Sequence, residues 1–332
     1  MLPLLFVLLA GAAPPVQPIR VSADAFGKPV EIEVRDLPAD AARSAIQQAL
    51  AETTAVERLV DLEGDPKISG GVAALNAAAG RGPQPVDDRL LPALRRALDF
   101  CAWSERAFGP LGRDLHRLWG LRSPVTASPL QKPELLDQAI VAADCAKLQI
   151  DPAKKTATLA AGSAVDLWGF AEGLAVDRAV EILRQQGVRN GYVRIGGIHR
   201  GLGRGPDGRG WSVAPPLFPG TAIPLNRLFL KDKALAIAAA ADLPLKIGEE
   251  TFSPWISQRT GRPVQGTVAT LAFTDLALDA QGLAATLTVT GPSEGQLRLG
   301  SLRPNPAILW LQGSGAGEPL QITYHWGDVP KR

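Results

Sequence analysis

Glycine and proline set the tightest limit on what this chain can fold into: 34 glycines and 28 prolines are spread over 332 residues. Proline ends or kinks a helix and cannot donate to a strand ladder, while glycine weakens either element by roughly 0.5–1 kcal/mol. Regular elements must therefore be short and joined by many turns. Hydrophobic residues at 46 % and charged residues at 20 % still supply a core, which excludes a disordered chain. The net charge is only +2, a balance that predicts no broad attraction to nucleic acid or an anionic membrane. Three histidines and two cysteines supply a zinc site poorly and exclude a disulfide-stapled mini-protein. The length allows one large domain or two of ordinary size.

Leu2 to Ala10 is almost purely apolar, and Gly11, Ala12 and Ala13 follow. This pattern predicts a signal peptide over residues 1–13, cleaved near Ala12, and export to the periplasm or cell envelope. The run is shorter than the roughly 20 apolar residues of a membrane span, and no second run approaches that length. Cys101 and Cys145 fit either a disulfide in an oxidising compartment or two buried thiols.

Periodicity predicts helices over Ala39 to Val60, Asp87 to Phe108, Pro133 to Cys145, Phe170 to Gln186, Ala280 to Val289 and Ser293 to Leu299. Gly187 suits the left-handed position past a helix end. Strands are expected at Val30 to Val34 (an edge-type alternation), Thr156 to Leu159, Asn190 to Ile195, Ala269 to Thr274, Ala307 to Leu311 and Leu320 to Trp326. Gly64 to Gly82 reads as loop, and Gly109 to Pro129 as irregular. Helices and strands mix without strict alternation, so the expected class is α+β, a mostly antiparallel sheet with flanking helices.

Three formal motifs fail on context. Gly291–Pro292–Ser293–Glu294–Gly295 fits G-x-S-x-G, but no convincing strand precedes it, so a turn and helix start is expected. The glycine-rich Gly201 to Pro206 runs into a turn and a strand-like Trp211–Ser212–Val213, whereas a phosphate cradle should lead into a helix. His116, His199 and His325 lack metal spacing; surface or capping roles are expected for each.

Seven segments in order resemble the ApbE-type flavin transferases (FAD:protein FMN transferases). They are Ala74–Leu75–Asn76, Ala107 to Pro110 with Leu118–Trp119–Gly120, and Val165 to Asp177, the last similar to V-D-L-G-G-I-A-K-G-Y-A-V-D. Val193 to Gly197, Pro206 to Trp211, Arg259 to Val264 and Ala280 to Leu287 follow. The resemblance implies an ApbE-like domain over 28–326 and the family fold. It implies Mg-dependent transfer of FMN from FAD to a Thr or Ser of a flavin-accepting protein, with release of AMP. It also implies flavin contacts at Asp166, Glu172, Ala107, Phe108 and Gly109. For Asp166, a turn or capping role stands as the alternative; Asp177 reads as structural.

The resemblance departs at positions that carry the chemistry. The family's metal-binding Asp and Thr correspond to Gln281 and Ala285, an amide and a methyl. Magnesium takes hard oxygen ligands, so its ligands are largely absent. The Asp of the Gly–Gly–Asp turn is Ile198, the Asp of A-F-D-P is Gly109, and the His and Asp of H-I-I-D-P are Pro254 and Ser257. The Ser–Gly pair falls in the tract Ala238 to Ala241. A register slip would bring Asp279 or Thr286 toward the metal positions and break the Leu283 and Leu287 match. Two readings follow: a family member that binds flavin or a protein partner without catalysis, or a transferase with a rearranged site.

Overall fold

The computed structural model describes residues 17–121, 124–221, 224–313 and 317–331; the predicted signal peptide lies outside them. The chain opens with a hairpin of β1 (Ile19–Ala25) and β2 (Lys28–Val34), turned at Phe26–Gly27. An excursion then carries α1 (Ala39–Val60), α2 (Val72–Ala77), β3 (Gln84–Pro85), α3 (Leu91–Trp103), α4 (Arg113–Leu118), α5 (Pro133–Ala142), β4 (Leu148–Asp151), β5 (Thr156–Leu159) and α6 (Ala171–Gln185). The chain returns as β6 (Gly191–Ile195) and β7 (Ile198–Leu202), followed by β8 (Trp211–Val213), β9 (Leu228–Leu230) and β10 (Ala234–Ala239). It ends with β11 (Leu245–Ile247), β12 (Glu250–Phe252), β13 (Thr267–Thr274), α7 (Ala277–Leu299), β14 (Ala307–Gln312) and β15 (Leu320–Tyr324).

Eight strands form one sheet in the order β1-β2-β6-β7-β10-β13-β14-β15. Every neighbouring pair is antiparallel, and spatial order follows chain order throughout. This is the expected α+β class. Val30 to Val34 does not lie at the edge, however: β1, absent from the sequence reading, covers it.

Strand periodicity divides the core. Ala234, Ala236 and Ala238 of β10, with Ile308 and Trp310 of β14, join the main core with the helices. Leu235 and Ala239, with Leu309 and Leu311, join a second cluster with Trp211 and Trp326. Both faces of the sheet are covered here, and in β10 the alternation sends three alanines to the face on which α7 packs. On α1, the buried Ala42, Ala45, Ile46, Ala49, Thr53, Val56 and Leu59 repeat every three or four residues and face α6.

Backbone conformation explains two departures in helix length. Helix α3 stops at Trp103 because Glu105 and Arg106 adopt φ of 50° and 66°, which a helix cannot include. In α7, Gly291 at φ 69° and ψ 176° breaks the helix and Pro292 restarts it, so the G-x-S-x-G run is a helix restart, as expected. The regions read as loop contain the one-and-a-half-turn helices α2 and α4, too short to show periodicity. Cys101 and Cys145 form a disulfide, with Cα atoms 6.6 Å apart.

Candidate functional site

The turn before α6 is held by backbone contacts from distant segments. Asn76 Nδ2 donates to the Val165 carbonyl at 2.9 Å, and its Oδ1 accepts the Val165 N–H at 2.7 Å. The Asp166 N–H donates to the Pro110 carbonyl at 2.8 Å. Asp166 Oδ1 accepts the Trp168 N–H at 2.9 Å, so this residue does fix its own turn. Asp166 Oδ2 lies 2.8 Å from His116 Nδ1. A carboxylate accepts, so Nδ1 carries the proton. Both side chains are 1 % exposed. The surface or capping role expected for His116 is thus corrected: α4 turns it inward onto a carboxylate 50 residues away. His116 Nε2 and Gln258 Oε1 are buried with no partner among the described residues.

Ala107, Phe108 and Gly109 are buried beside this turn. Gln258 clamps them: its N–H donates to the Ala107 carbonyl at 2.9 Å and its Nε2 to the Gly109 carbonyl at 2.8 Å. A Cβ at Gly109 would lie 2.6 Å from Cys101 Cβ, 2.8 Å from Cys101 Sγ and 2.9 Å from Cys145 Sγ. The disulfide therefore occupies the space an aspartate would need there. The Phe108 ring packs against Phe170, Trp255 and Trp168 at centroid distances of 5.7, 6.1 and 6.4 Å. Trp168 and Trp255 stand 4.4 Å apart. Gly169, at φ +88°, presses on Phe108 and Ala285: a Cβ there would sit 2.8 Å from Phe108 Cζ and 3.3 Å from Ala285 Cβ. Aromatic rings and a methyl meet at this point.

Glu172 belongs to a separate network. Lys28 Nζ donates to its Oε1 at 2.5 Å and Gln281 Nε2 to its Oε2 at 2.6 Å. Gln281 Oε1 in turn accepts the Gly173 N–H at 2.7 Å. Burial pushes the Glu172 carboxyl up, but the Lys28 charge and the two hydrogen bonds outweigh it and hold it below the usual carboxylate range. Asp177 is structural, as expected: it accepts the Ala277 and Leu278 N–H groups at 2.9 and 3.0 Å at the start of α7, and Arg200 donates to it at 2.5 Å.

The donor set does not fit magnesium. Both ends of the Gln281 amide are committed within the protein, and Ala285 is a fully buried methyl. Asp279 accepts from Arg96 Nε of α3 at 2.6 Å, so its carboxylate is already paired with a cation within the protein. Thr286 is buried with its hydroxyl unpartnered among the described residues. No group of three or more His, Cys, Asp or Glu among the described residues is placed to share an ion.

Of the five positions assigned to flavin, the structure brings Ala107, Phe108, Gly109 and Asp166 together and places Glu172 with Lys28 and Gln281. Two clefts, of about 360 and 310 Å³, are lined by none of the five. Ser257 borders the larger one, while Ile198 and Pro254 are buried. Gln258, Trp255 and Lys28 escaped the sequence reading, which gave His116 only a surface or capping role. Lys28 left no signal, since it lies 144 residues from the carboxylate it pairs with.

A long antiparallel meander with helices inserted between its strands, closing over a turn of the V-D-L-x-G type, defines a flavin-transferase-like fold. The sequence model of the ApbE family matches residues 26–309, and the chain belongs to that family. A Vibrio cholerae protein named FAD:protein FMN transferase is 24 % identical over 296 residues, covering 87 % of this chain and 86 % of that one. One of the same name from Treponema pallidum is 33 % identical over 138 residues, but that match spans only 38 % of its length. Among solved structures, the apo flavinyl transferase ApbE of Pseudomonas stutzeri superposes with a TM-score of 0.78 at 20 % identity, over 94 % of this chain and 96 % of that one. The ApbE protein of Thermotoga maritima superposes with a TM-score of 0.81 at 18 % identity, over 94 % and 98 %. At these identities the superpositions establish the fold alone.

Proposed function

We propose that this chain is an exported ApbE-family protein that keeps the family scaffold for binding a flavin nucleotide or a flavin-accepting protein and no longer transfers FMN. One observation carries the reading. The side chain at the family's metal-Asp position is an amide whose oxygen holds the Gly173 N–H and whose nitrogen holds Glu172. A group tied at both ends inside the protein has no charge to offer a cation. Phosphoryl transfer from a pyrophosphate relies on a metal for several kcal/mol of transition-state stabilisation, and each 1.36 kcal/mol is about tenfold in rate. The expected loss is at least about three orders of magnitude. Export is supported by the Cys101–Cys145 bridge, since such bonds persist in oxidising compartments.

The test is incubation with FAD, magnesium and a Thr-containing acceptor peptide, following AMP release and covalent flavin by mass spectrometry. The expected result is neither product. Gln281→Asp with Ala285→Thr should regain magnesium binding by calorimetry. Robust turnover by the unmodified protein would overturn the proposal.

A further inference from the structure

Ala107 to Pro110 carries three of the five positions assigned to flavin and belongs to no helix or strand. It leaves α3 through the left-handed Glu105 and Arg106. Gln258 holds it from one side, through the Ala107 and Gly109 carbonyls. The turn before α6 holds it from another, through the Pro110 carbonyl. The disulfide forms a third wall: Gly109 faces it so closely that both sulfurs lie within 2.9 Å of where a Cβ would stand. Cys101 is fully buried in the last turn of α3, whereas Cys145 is half-buried and opens the short 3-10 turn Cys145–Lys147 between α5 and β4. An ion pair of Arg106 with Asp144 at 2.9 Å also joins these two elements, but it is open to water and holds little. Two bonded sulfurs stand closer than two thiols, which keep van der Waals separation. Breaking the bridge therefore sets a wider pair against Gly109 and unties α3 from the Cys145 turn. Phe108, the neighbour of Gly109, is packed among Phe170, Trp168 and Trp255, so a shift of the segment is passed to that cluster.

We propose that Cys101 and Cys145 form a redox latch on this segment. With the bridge closed, Ala107 to Pro110 is fixed and the aromatic cluster is assembled. With two thiols, the segment is released while the eight-stranded sheet stays folded, since neither cysteine lies on a strand of that sheet. Closing the latch is thiol–disulfide exchange with a disulfide oxidant. The thiolate of the half-buried Cys145 attacks the oxidant, forms a mixed disulfide and expels one thiol. The Cys101 thiolate then attacks Cys145 Sγ, forms the internal bridge and expels the second thiol. Two electrons pass to the oxidant, and the two cysteine protons end on its thiols. The inference rests on the reading of this chain as exported only for where the oxidant is met: thiols persist in a reducing compartment and bridges in an oxidising one. The segment is then fixed after export rather than before it.

The experiment compares the oxidised full chain with the same protein reduced by a phosphine. The chain has two cysteines, so the reductant acts at this bridge alone. Trypsin under native conditions reads the segment directly, because the exposed Arg106 adjoins Ala107. Cleavage after Arg106 should be about tenfold faster or more in the reduced protein, since proteolysis follows the population of the locally open form. Cleavage after Arg209, an exposed residue of the loop between β7 and β8, should not change. The near-ultraviolet dichroism of Trp168 and Trp255, 4.4 Å apart, should weaken while the far-ultraviolet spectrum stays. Oxidised glutathione should restore both signals. Cys101→Ser with Cys145→Ser should behave as the reduced protein and ignore glutathione. Equal cleavage and equal dichroism in the two redox states would overturn the proposal. So would loss of the far-ultraviolet spectrum on reduction, which makes the bridge a staple for the whole fold. FMN titrated into both states reads the proposed flavin binding separately: its absence from both counts against that reading and leaves the cleavage result standing.

Discussion

Replacing Lys28 by Met removes the cation from a nearly buried carboxylate and should reverse the pH dependence of that part of the fold. Glu172 is 5 % exposed, whereas the Lys28 side chain keeps 45 % exposure. Removing one partner of a buried ion pair costs about 3–5 kcal/mol. Water reaches the lysine and Gln281 stays in place, so the expected cost at pH 7 is nearer ~2 kcal/mol. For a chain of this size that is a fall of roughly 3 °C in melting temperature. In the wild type the Glu172 carboxyl lies below its usual range. On acidification the unfolded chain therefore takes up its proton first, near pH ~4.3. This contribution to stability is complete above that pH and is lost as pH falls toward the folded value. Without Lys28, burial is opposed mainly by the Gln281 amide, and the folded value moves above the usual one. The folded protein then takes up the proton first, so the variant loses stability as pH rises through that window. The difference between wild type and Lys28→Met should be largest at pH 7 and should shrink by pH 4.5. Urea denaturation at both pH values measures it. Asp242, whose carboxyl burial pushes up, also feels the Lys28 charge, so Glu172→Gln is needed as a second arm. The double variant Lys28→Met with Glu172→Gln should recover most of the loss. Equal costs at the two pH values, or additive costs in the double variant, would refute the reasoning.

Gly109→Ala should destabilise the protein by about 2–3 kcal/mol in thermal denaturation, because its Cβ would fall 2.6 Å from Cys101 Cβ. His199, buried beside the Tyr192 hydroxyl at 2.7 Å, is pushed down to about 3 by burial, with the Arg194 charge adding to it. Its unfolded form takes up a proton near pH ~6.5, so the fold should lose about 2 kcal/mol between pH 7 and pH 5 through this group. His199→Asn should flatten that slope in denaturant titrations.

Much of the scaffold is readable from local pattern. The α1 stripe from Ala42 to Leu59 gives that helix its observed ends, and the break at Gly291–Pro292 is written in the two residues themselves. Strand β10 is not readable, because Ala234 to Ala239 is buried on both faces and shows no polar alternation. Strand β7 is hidden for the same reason, its five residues all being buried. The site divides similarly. The departure of residues 281 and 285 from the motif they resemble is visible in the sequence, since it needs only their identities. The commitment of the Gln281 amide to Gly173 and Glu172 depends on α6 and α7 crossing closely where Gly173 has no side chain: a Cβ there would lie 2.6 Å from the Ala277 carbonyl. The inward turn of His116 likewise depends on Asn76 fixing a loop 89 residues further on. Such contacts between distant segments leave no local periodicity.

The eight-stranded sheet runs in chain order, and each connection leaves it and returns at the next position. Apart from Lys28, Ile198, Ala238 and Ala239, the positions weighed for catalysis, metal or flavin lie on connections, while the ladder is made by backbone groups. Exchanging a residue on a connection costs the sheet no hydrogen bond and shifts no register. The ladder therefore does not depend on the chemistry carried by its connections, and a match in shape to a working enzyme says nothing about turnover. In this architecture the hydrogen bonds that set the sheet and the side chains that would set the chemistry reside largely on different stretches of chain.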